Sequence, residues 1–150
     1  MPTVSLIIPT FNREKVLCDS INCALNQDYS DYEIIVVDQT ASHDLETQRF
    51  LNQLPTSVRI IKHHPPSLTG ARNCGIQEAM GEIMVMIDDD VIIERDFITQ
   101  HLKYYDDSNV VGVTGRIKEQ NRFANKTIPF VKDEFFQWMK EQDGSYVSNN

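Results

Sequence analysis

Several features that mark common protein classes are missing from this sequence. It has no apolar run long enough to cross a membrane, and it contains neither internal repeats nor a low-complexity tract. Its three cysteines cannot all pair, and none lies in a C-x-x-C spacing, so we expect reduced thiols in a cytoplasmic protein. A G-x-G-x-x-G turn is also absent, which argues against an NAD site.

Basic residues are scarce relative to acidic ones. The chain has 14 lysines and arginines against 22 aspartates and glutamates, which gives a formal net charge of -8. This excess argues against a nucleic-acid partner and against binding to an anionic membrane surface. It does not exclude a phosphorylated substrate, because carboxylates can hold phosphates through a bridging cation.

Short apolar runs alternate with segments of helical periodicity along most of the chain. We predict strands at 4–8, 34–37, 58–61, 83–87 and 110–115, and helices at 14–26, 43–53, 70–80 and 95–106. Pro9 should end the first strand, and Ser42 is a plausible N-cap of the second helix. Continuously apolar strands that are each followed by a helix predict an α/β fold, with a mostly parallel sheet covered by helices on both faces.

Unusual polar residues lie where the predicted strands end. Asn12 follows the first strand, Asp38 ends the second, and the run 88–90 follows the fourth. Ligands of parallel α/β sheets bind beyond the carboxyl ends of the strands. We therefore expect these side chains to share one binding site.

The most distinctive feature is the run Asp88-Asp89-Asp90 after an apolar strand. Adjacent carboxylates at a buried strand end repel one another unless a cation compensates them. On an extended backbone the first and third side chains point to the same side, so one ion could lie between Asp88 and Asp90. We expect Mg²⁺ or Mn²⁺ there, carrying the phosphates of a substrate. The alternative is that the aspartates only turn the chain and cap the fourth helix.

Two further candidates are ambiguous when each is taken alone. Asp38 could simply end a strand at a turn, although the acidic run at another strand end favours a ligand role. Phe11 offers a ring face on which a base could stack, but it could equally belong to the core. Neither residue decides the function without the others.

Together these segments resemble glycosyltransferase family 2, whose members have the Rossmann-like GT-A fold of nucleotide-diphospho-sugar transferases. The resemblance covers about residues 3–118, in the family's order and spacing. It is carried by V-S-L-I-I-P-T-F-N-R (4–13), Asn26-Gln27-Asp28-Tyr29, E-I-I-V-V-D (33–38), G-A-R-N-C-G-I (70–76), A-M-G-E-I (79–83) and M-V-M-I-D-D-D (84–90).

The resemblance implies roles around the nucleoside. Phe11, with the backbone of Pro9 and Thr10, is similar to the edge on which family members stack the base. Asp38 is similar to the carboxylate that accepts a hydrogen bond from the base. Arg72 matches the arginine that reaches the nucleotide from the start of the third helix. Substitution of Asp38 or Arg72 should accordingly impair nucleotide binding more than folding.

The acidic run also acquires implied roles. Asp88 resembles the acid that contacts the ribose and a ligand of the metal, and Asp90 resembles the metal ligand itself. Asp89 occupies the variable middle position of the nucleotide-sugar site. One departure is Gln39, which stands where the family often has a second acid.

The resemblance further implies how the chain is organised. Residues 1–118 would form the nucleotide-sugar (donor) binding domain, and 119–150 would begin an incomplete acceptor-side region, so we expect a truncated fold. No recognisable acceptor-side carboxylate occurs in 119–150. We expect the catalytic base beyond Asn150, and this chain alone to be inactive.

The implied reaction is metal-dependent transfer of a sugar, with inversion, from a nucleoside-diphosphate donor to a hydroxyl group. The acceptor would be a carbohydrate, a lipid-linked substrate or a protein. An aromatic cluster on a predicted helix at 132–142 favours self-association, for example as a homodimer. A longer form of the protein could associate with a membrane. The alternative is a nucleotide-sugar-binding module without turnover, which would share every donor-site residue.

Overall fold

A parallel four-stranded sheet organises the chain. The computed structural model describes residues 3–116. The strands are β1 (Val4–Thr10), β2 (Tyr32–Asp38), β3 (Val58–Lys62) and β4 (Ile83–Met86), in the spatial order β3-β2-β1-β4. The helices are α1 (Lys15–Leu25), α2 (Leu45–Asn52), α3 (Leu68–Glu78) and α4 (Phe97–Leu102).

Both faces of the sheet are covered, as predicted. Successive residues of a strand point to opposite faces. Leu6 and Ile8 of β1 therefore pack with Leu17 of α1 in one core cluster. Ile7, between them in sequence, packs with Ala71 of α3 in a second cluster. All five residues are fully buried, so the continuously apolar character of β1 reflects two separate cores.

The two hydrogen-bond ladders of β1 end at different residues. Its pairing with β2 continues to the pair Thr10 and Asp38, whereas its pairing with β4 stops at Ile7 and Met86. Pro9 has no amide hydrogen, so it cannot extend the ladder toward β4. The prediction that Pro9 ends the strand is therefore wrong on the β2 side, and β1 separates from β4 beyond the last pair.

Two helix starts differ from the prediction because of their caps. The N-cap of α2 is Asp44 rather than Ser42, and its carboxylate accepts a hydrogen bond of 2.7 Å from the backbone N–H of Thr47. The N-cap of α3 is Ser67, whose hydroxyl accepts from the N–H of Gly70 at 3.1 Å, so this helix begins earlier than predicted. Both caps satisfy a backbone donor that the first helical turn leaves unpaired.

The predictions for the last described residues are partly wrong. The segment 110–115 is not a strand, and α4 ends at Leu102 instead of near residue 106. Val111 is 96% exposed, and an apolar segment forms a strand only where a neighbouring strand takes up its backbone groups. The predicted helix at 132–142 and the domain boundary at 118 lie outside the described residues. Nowhere in 3–116 is a helix long and apolar enough to span a membrane.

A glycine allows α3 to lie directly against β1. Gly75 is buried, and a Cβ atom at this position would overlap Cγ2 of Ile7. Ala71, one turn earlier on the same helix, is fully buried on the same face of the sheet. The small residues of α3 therefore set the distance between the helix and the sheet.

We expect Gly75→Ala to lower the free energy of unfolding by about 1 kcal/mol. Overpacking a core costs about 1–3 kcal/mol, while the better helix propensity of alanine returns up to about 1 kcal/mol. Urea denaturation measures the change. Gly112→Ala is the matched control, because a Cβ atom there would meet nothing within 4 Å. A Gly75→Ala protein more stable than the parent chain would contradict the close contact.

Candidate functional site

A cleft of about 470 Å³ lies at the carboxyl ends of the strands. It opens where β1 and β4 separate, which is also where the strand order changes direction, since β2 and β3 lie on the other side of β1. Parallel sheets bind ligands at such switch points. Most of the predicted site residues line the cleft, namely Pro9, Thr10, Phe11, Arg72, Asp88, Asp89 and Asp90.

A left-handed residue shapes one wall of the cleft. Asn12 has φ of 53°, a conformation that asparagine tolerates better than most residues, and its N–H donates to Oγ1 of Thr40 at 2.8 Å. The residues on either side of it, Phe11 and Arg13, both line the cleft. Phe11 is 47% exposed, so the alternative that it belongs to the core is wrong.

The acidic run is held in place through its middle residue. Oδ2 of Asp89 accepts a 2.6 Å hydrogen bond from the hydroxyl of Thr10, and Asp89 is buried. On α1, the hydroxyl of Ser20 lies 2.9 Å from the carbonyl oxygen of Asp89 and 3.1 Å from that of Val91. Asp89 therefore ties the loop to β1, and Ser20 ties it to α1.

One expectation about this loop, and the capping role in its alternative, are wrong. Asp89 and Asp90 lie in a turn, so the alternation of an extended backbone does not place Asp88 and Asp90 on one side. The run does not cap the fourth helix either, because the N-cap of α4 is Asp96. Hydrogen bonds to Thr10 and Ser20, rather than strand geometry, determine how the acidic side chains are presented.

The outer two carboxylates are exposed and face arginines. The side chain of Asp88 is 59% exposed, and its Oδ1 lies 3.0 Å from Nη2 of Arg72. The side chain of Asp90 is 52% exposed, and its Oδ2 lies 3.4 Å from Nη2 of Arg13. Nε of Arg13 lies 3.5 Å from Oδ1 of Asp89. The cleft thus alternates acidic and basic groups, with three carboxylates against two guanidinium groups.

These carboxylates suit a hard divalent cation that a substrate also coordinates. Within residues 3–116 no group of three or more histidine, cysteine or acidic side chains is arranged to hold a metal ion. Mg²⁺, however, is commonly bound through one or two carboxylates together with substrate phosphates. Asp88 and Asp90 present exposed oxygen donors to the cleft, so the donor set fits this mode. Their roles as metal ligands stay predictions.

Asp38 is placed differently from the other predicted residues. Its side chain is 1% exposed and does not line the cleft. Oδ1 accepts from the N–H of Thr40 at 2.8 Å, while Oδ2 lies 2.9 Å from Nε2 of His43 and 2.7 Å from Nζ of Lys62. Burial by itself raises the pKa of Asp38, but the hydrogen bonds from Lys62, Thr40 and His43 outweigh it and hold the pKa below its ordinary value. Its contact with a base stays a prediction.

Gln39 lines the cleft beside β1. Its Nε2 lies 3.3 Å from the carbonyl oxygen of Thr10, and its Oε1 accepts from the N–H of Ser67. Gln39 directly follows the last residue of β2 and is itself buried. The side chain connects the end of β1 to the start of α3.

Five lining residues were not expected from the sequence, namely Arg13, Gln39, Pro66, Ser67 and Leu68. Each of them could have been predicted from its position next to the end of a strand or the start of a helix. Arg13 and Gln39 lie just past strand ends, and the other three lie at the start of α3. A search for residues near every predicted element boundary on the carboxyl side would have found them.

Residues 5–146 match the model of the family described as Glycosyl transferase family 2. The chain belongs to this family. A relative in Campylobacter jejuni, named GalNAc(5)-diNAcBac-PP-undecaprenol beta-1,3-glucosyltransferase, is 37% identical over 95 residues, which cover 60% of this chain and 30% of the relative. A putative colanic acid biosynthesis glycosyl transferase of Escherichia coli is 36% identical over 92 residues, 59% of this chain and 33% of the relative.

Solved structures of glycosyltransferases have a fold similar to that of this chain. A mannosyltransferase of Pyrobaculum calidifontis, solved in complex with GDP-Man and Mn²⁺, superposes with a TM-score of 0.63 at 25% identity. The match covers 73% of this chain and 34% of that one. This chain has the fold of GT-A glycosyltransferases, as expected. It spans about a third of the length of these three relatives.

The environment of Asp38 predicts a folding role, contrary to the expectation from sequence. We expect Asp38→Asn to lower the free energy of unfolding by about 3 kcal/mol at neutral pH, because it leaves Nζ of Lys62 and Nε2 of His43 without their charged acceptor. The depressed pKa means that the contribution of Asp38 is present above the ordinary carboxyl pKa and is lost as the pH falls through the folded-state value. Urea denaturation across the acid range should therefore show a shallower loss of stability in the variant.

Asp19→Asn is the control for the loss of one carboxylate. Asp19 forms an exposed pair with Lys15, and such pairs contribute about 0–1 kcal/mol. Equal stability of the Asp38→Asn and Asp19→Asn proteins, with nucleotide binding lost only in the former, would instead favour the nucleobase role.

Proposed function

We propose that this chain is the donor-binding part of a glycosyltransferase that transfers a sugar from a nucleoside diphosphate to a hydroxyl acceptor, with inversion and with a divalent cation. The observation that carries the proposal is the cleft at the switch point of the sheet, where an exposed aromatic ring lies beside exposed carboxylates. Membership of family 2 supports the reaction class. The mannosyltransferase was solved with Mn²⁺ and GDP-Man, which supports a divalent cation and a nucleoside-diphosphate sugar as the ligands of this cleft.

Different residues of the cleft would bind different parts of the sugar donor. Phe11 offers an exposed ring on which a base can stack. Asp88 and Asp90 present oxygen donors for the ribose and the cation. Arg72 supplies positive charge for the phosphates, since its guanidinium lies at the same wall of the cleft.

The chemistry requires that a diphosphate leave the anomeric carbon as the acceptor oxygen attacks from the opposite side. A bound Mg²⁺ or Mn²⁺ would offset the negative charge that develops on the diphosphate. Arg13 and Arg72 lie in the same cleft and add to this stabilisation. Removal of the acceptor proton needs a general base. The three carboxylates of the cleft have donor-side roles in this proposal, so none is assigned as that base.

The names of the relatives support an acceptor that carries a lipid-linked or polymeric saccharide. One relative has undecaprenol in its name, and another is named for colanic acid biosynthesis. We propose a carbohydrate or lipid-linked hydroxyl group as the acceptor and a role in polysaccharide assembly.

A second candidate is a nucleotide-sugar-binding module without turnover. The same cleft would serve it, because binding uses the same aromatic, acidic and basic groups. Release of the nucleoside diphosphate from a bound donor separates the two functions.

We expect nucleoside-diphosphate binding to depend on both the cation and Asp90. Calorimetric titration of UDP, GDP and dTDP with Mn²⁺, and again with a chelator, should show affinity only when Mn²⁺ is present. Asp90→Asn should weaken the binding about tenfold or more, because it removes a charged ligand of the cation. Asp106→Asn, in an exposed turn outside the cleft, should bind as the parent chain does. Equal affinity with Mn²⁺ and with chelator would exclude the cation bridge.

We also expect the chain to release nucleoside diphosphate slowly from its best-binding sugar donor. General-base assistance supplies a factor of about 10²–10⁴ in the rate of sugar transfer. Because no carboxylate of the cleft has this role in the proposal, we expect transfer by this chain to lack that factor. With excess methanol as a simple hydroxyl acceptor, the methyl glycoside should have the opposite anomeric configuration to the donor, as read by proton NMR. A retained configuration would overturn the inverting mechanism. Tight binding with no release of nucleoside diphosphate would favour the binding module.

A further inference from the structure

Each outward-facing carboxylate of the acidic run already has a cationic partner. Arg72 approaches Asp88, and Arg13 approaches Asp90 through Nη2 and Asp89 through Nε. A cation that binds through Asp88 and Asp90 must compete with both guanidinium groups. The pairs are long or exposed, with the Arg13 side chain 47% exposed, so they can be exchanged at small cost.

From this arrangement we propose that Arg13 is an exchangeable counter-ion that couples the binding of the cation to the binding of the nucleoside diphosphate. Before ligands bind, Arg13 neutralises Asp90 and opposes the entry of a bare cation. When a cation takes Asp90, the guanidinium is released into a cleft where a diphosphate can pair with it. The inference rests on the proposed function, because it takes a diphosphate as the ligand of the cleft.

The position of Arg13 suits such an exchange. It follows the left-handed Asn12 directly, at the end of β1, and lies on the wall that Phe11 also forms. Its Nε and Nη2 contact two different carboxylates at 3.5 and 3.4 Å, longer than a tight charge-assisted hydrogen bond. These contacts neutralise the loop without fixing the guanidinium to a single partner.

Arg72, the partner of Asp88, is also only partly hydrogen-bonded. Its Nη2 is bonded to Asp88, while its Nε is buried and has no hydrogen-bond partner among the described residues. A buried donor without an acceptor is unfavourable, so this arrangement leaves part of the guanidinium unsatisfied. Rearrangement toward a ligand with several acceptor oxygens would relieve it.

Coupling of this kind has a measurable thermodynamic consequence. If the nucleoside diphosphate strengthens Mn²⁺ binding by some factor, Mn²⁺ must strengthen nucleoside-diphosphate binding by the same factor. Direct contact between the two ligands contributes to that factor in any metal-dependent site. The part contributed by Arg13 is lost when its charge is removed, and the affinity for bare Mn²⁺ rises at the same time.

The test measures Mn²⁺ binding by the electron paramagnetic resonance signal of the free ion, with and without the nucleoside diphosphate that binds best among UDP, GDP and dTDP. Arg13→Gln should strengthen the binding of Mn²⁺ alone about two- to fivefold, as expected for the loss of an exposed competing pair. The same substitution should weaken nucleoside-diphosphate binding in saturating Mn²⁺. The ratio of the Mn²⁺ dissociation constants without and with nucleotide should therefore fall.

Two variants separate exchange from a general effect of charge. Lys15→Gln removes one positive charge two residues along the chain, where Nζ pairs with Asp19, and should leave both dissociation constants unchanged. Arg13→Lys keeps the charge and should restore most of the coupling. Circular dichroism confirms that each variant is folded.

The outcomes distinguish this inference from the function on which it rests. If the parent chain retains Mn²⁺ with nucleotide, but Arg13→Gln leaves the ratio unchanged, the role of Arg13 is overturned and the proposed function stands. If Lys15→Gln changes the ratio as much as Arg13→Gln does, the loss of any nearby positive charge explains the effect, and the exchange of Arg13 is overturned. If the parent chain fails to retain Mn²⁺ even with nucleotide, the proposed function is overturned, and the inference with it.

Discussion

The unequal hydrogen bonding of β1 on its two sides determines where a ligand can enter. Toward β2 the ladder continues to Thr10, whereas toward β4 it stops at Ile7, since Pro9 offers no donor. Beyond Ile7, the backbone groups of β1 on the side of β4 are thus no longer paired with that strand. The chain after β4 is free to turn, and the cleft forms between the two strand ends.

The carboxylates at and near the cleft are of two kinds. Asp38 is buried outside the lining of the cleft, and its oxygens contact Thr40, His43 and Lys62, the last of which lies on β3. Asp89, in the cleft, is also buried and accepts a hydrogen bond from Thr10. Of these four carboxylates only Asp88 and Asp90 are exposed, and each lies within 3.4 Å of an arginine guanidinium nitrogen. The buried carboxylates thus hold the structure around the cleft, and the exposed ones stay accessible from it.

The sequence was most informative about the buried elements. Apolar runs correctly located four strands. Burial on both faces accounts for the continuous apolar runs of β1 and β2, whereas β3 and β4 also contain exposed residues. It was less informative at the boundaries. Asp38 and Gln39 are neighbours, yet only Gln39, just past the end of β2, lines the cleft. The run 110–115 has the composition of a strand, but composition cannot supply the neighbouring strand that such a segment needs.

The site residues were identified unevenly for a related reason. Acidic residues at a strand end are conspicuous because their charge is expensive to bury. Arg13 resembles any surface arginine in the sequence, and its importance appears only when the turn at Asn12 brings it beside Asp90. Single charged residues in loops acquire meaning from the tertiary structure rather than from local pattern.

The close contact at Gly75 also has a geometric consequence for the cleft. Arg72 precedes Gly75 by one helical turn, so its guanidinium is positioned by a helix that rests directly on Ile7. The contact between α3 and the sheet therefore sets how far Arg72 lies from β1. The 3.0 Å spacing between Arg72 and Asp88 therefore depends on how α3 rests on the core as well as on the loop after β4.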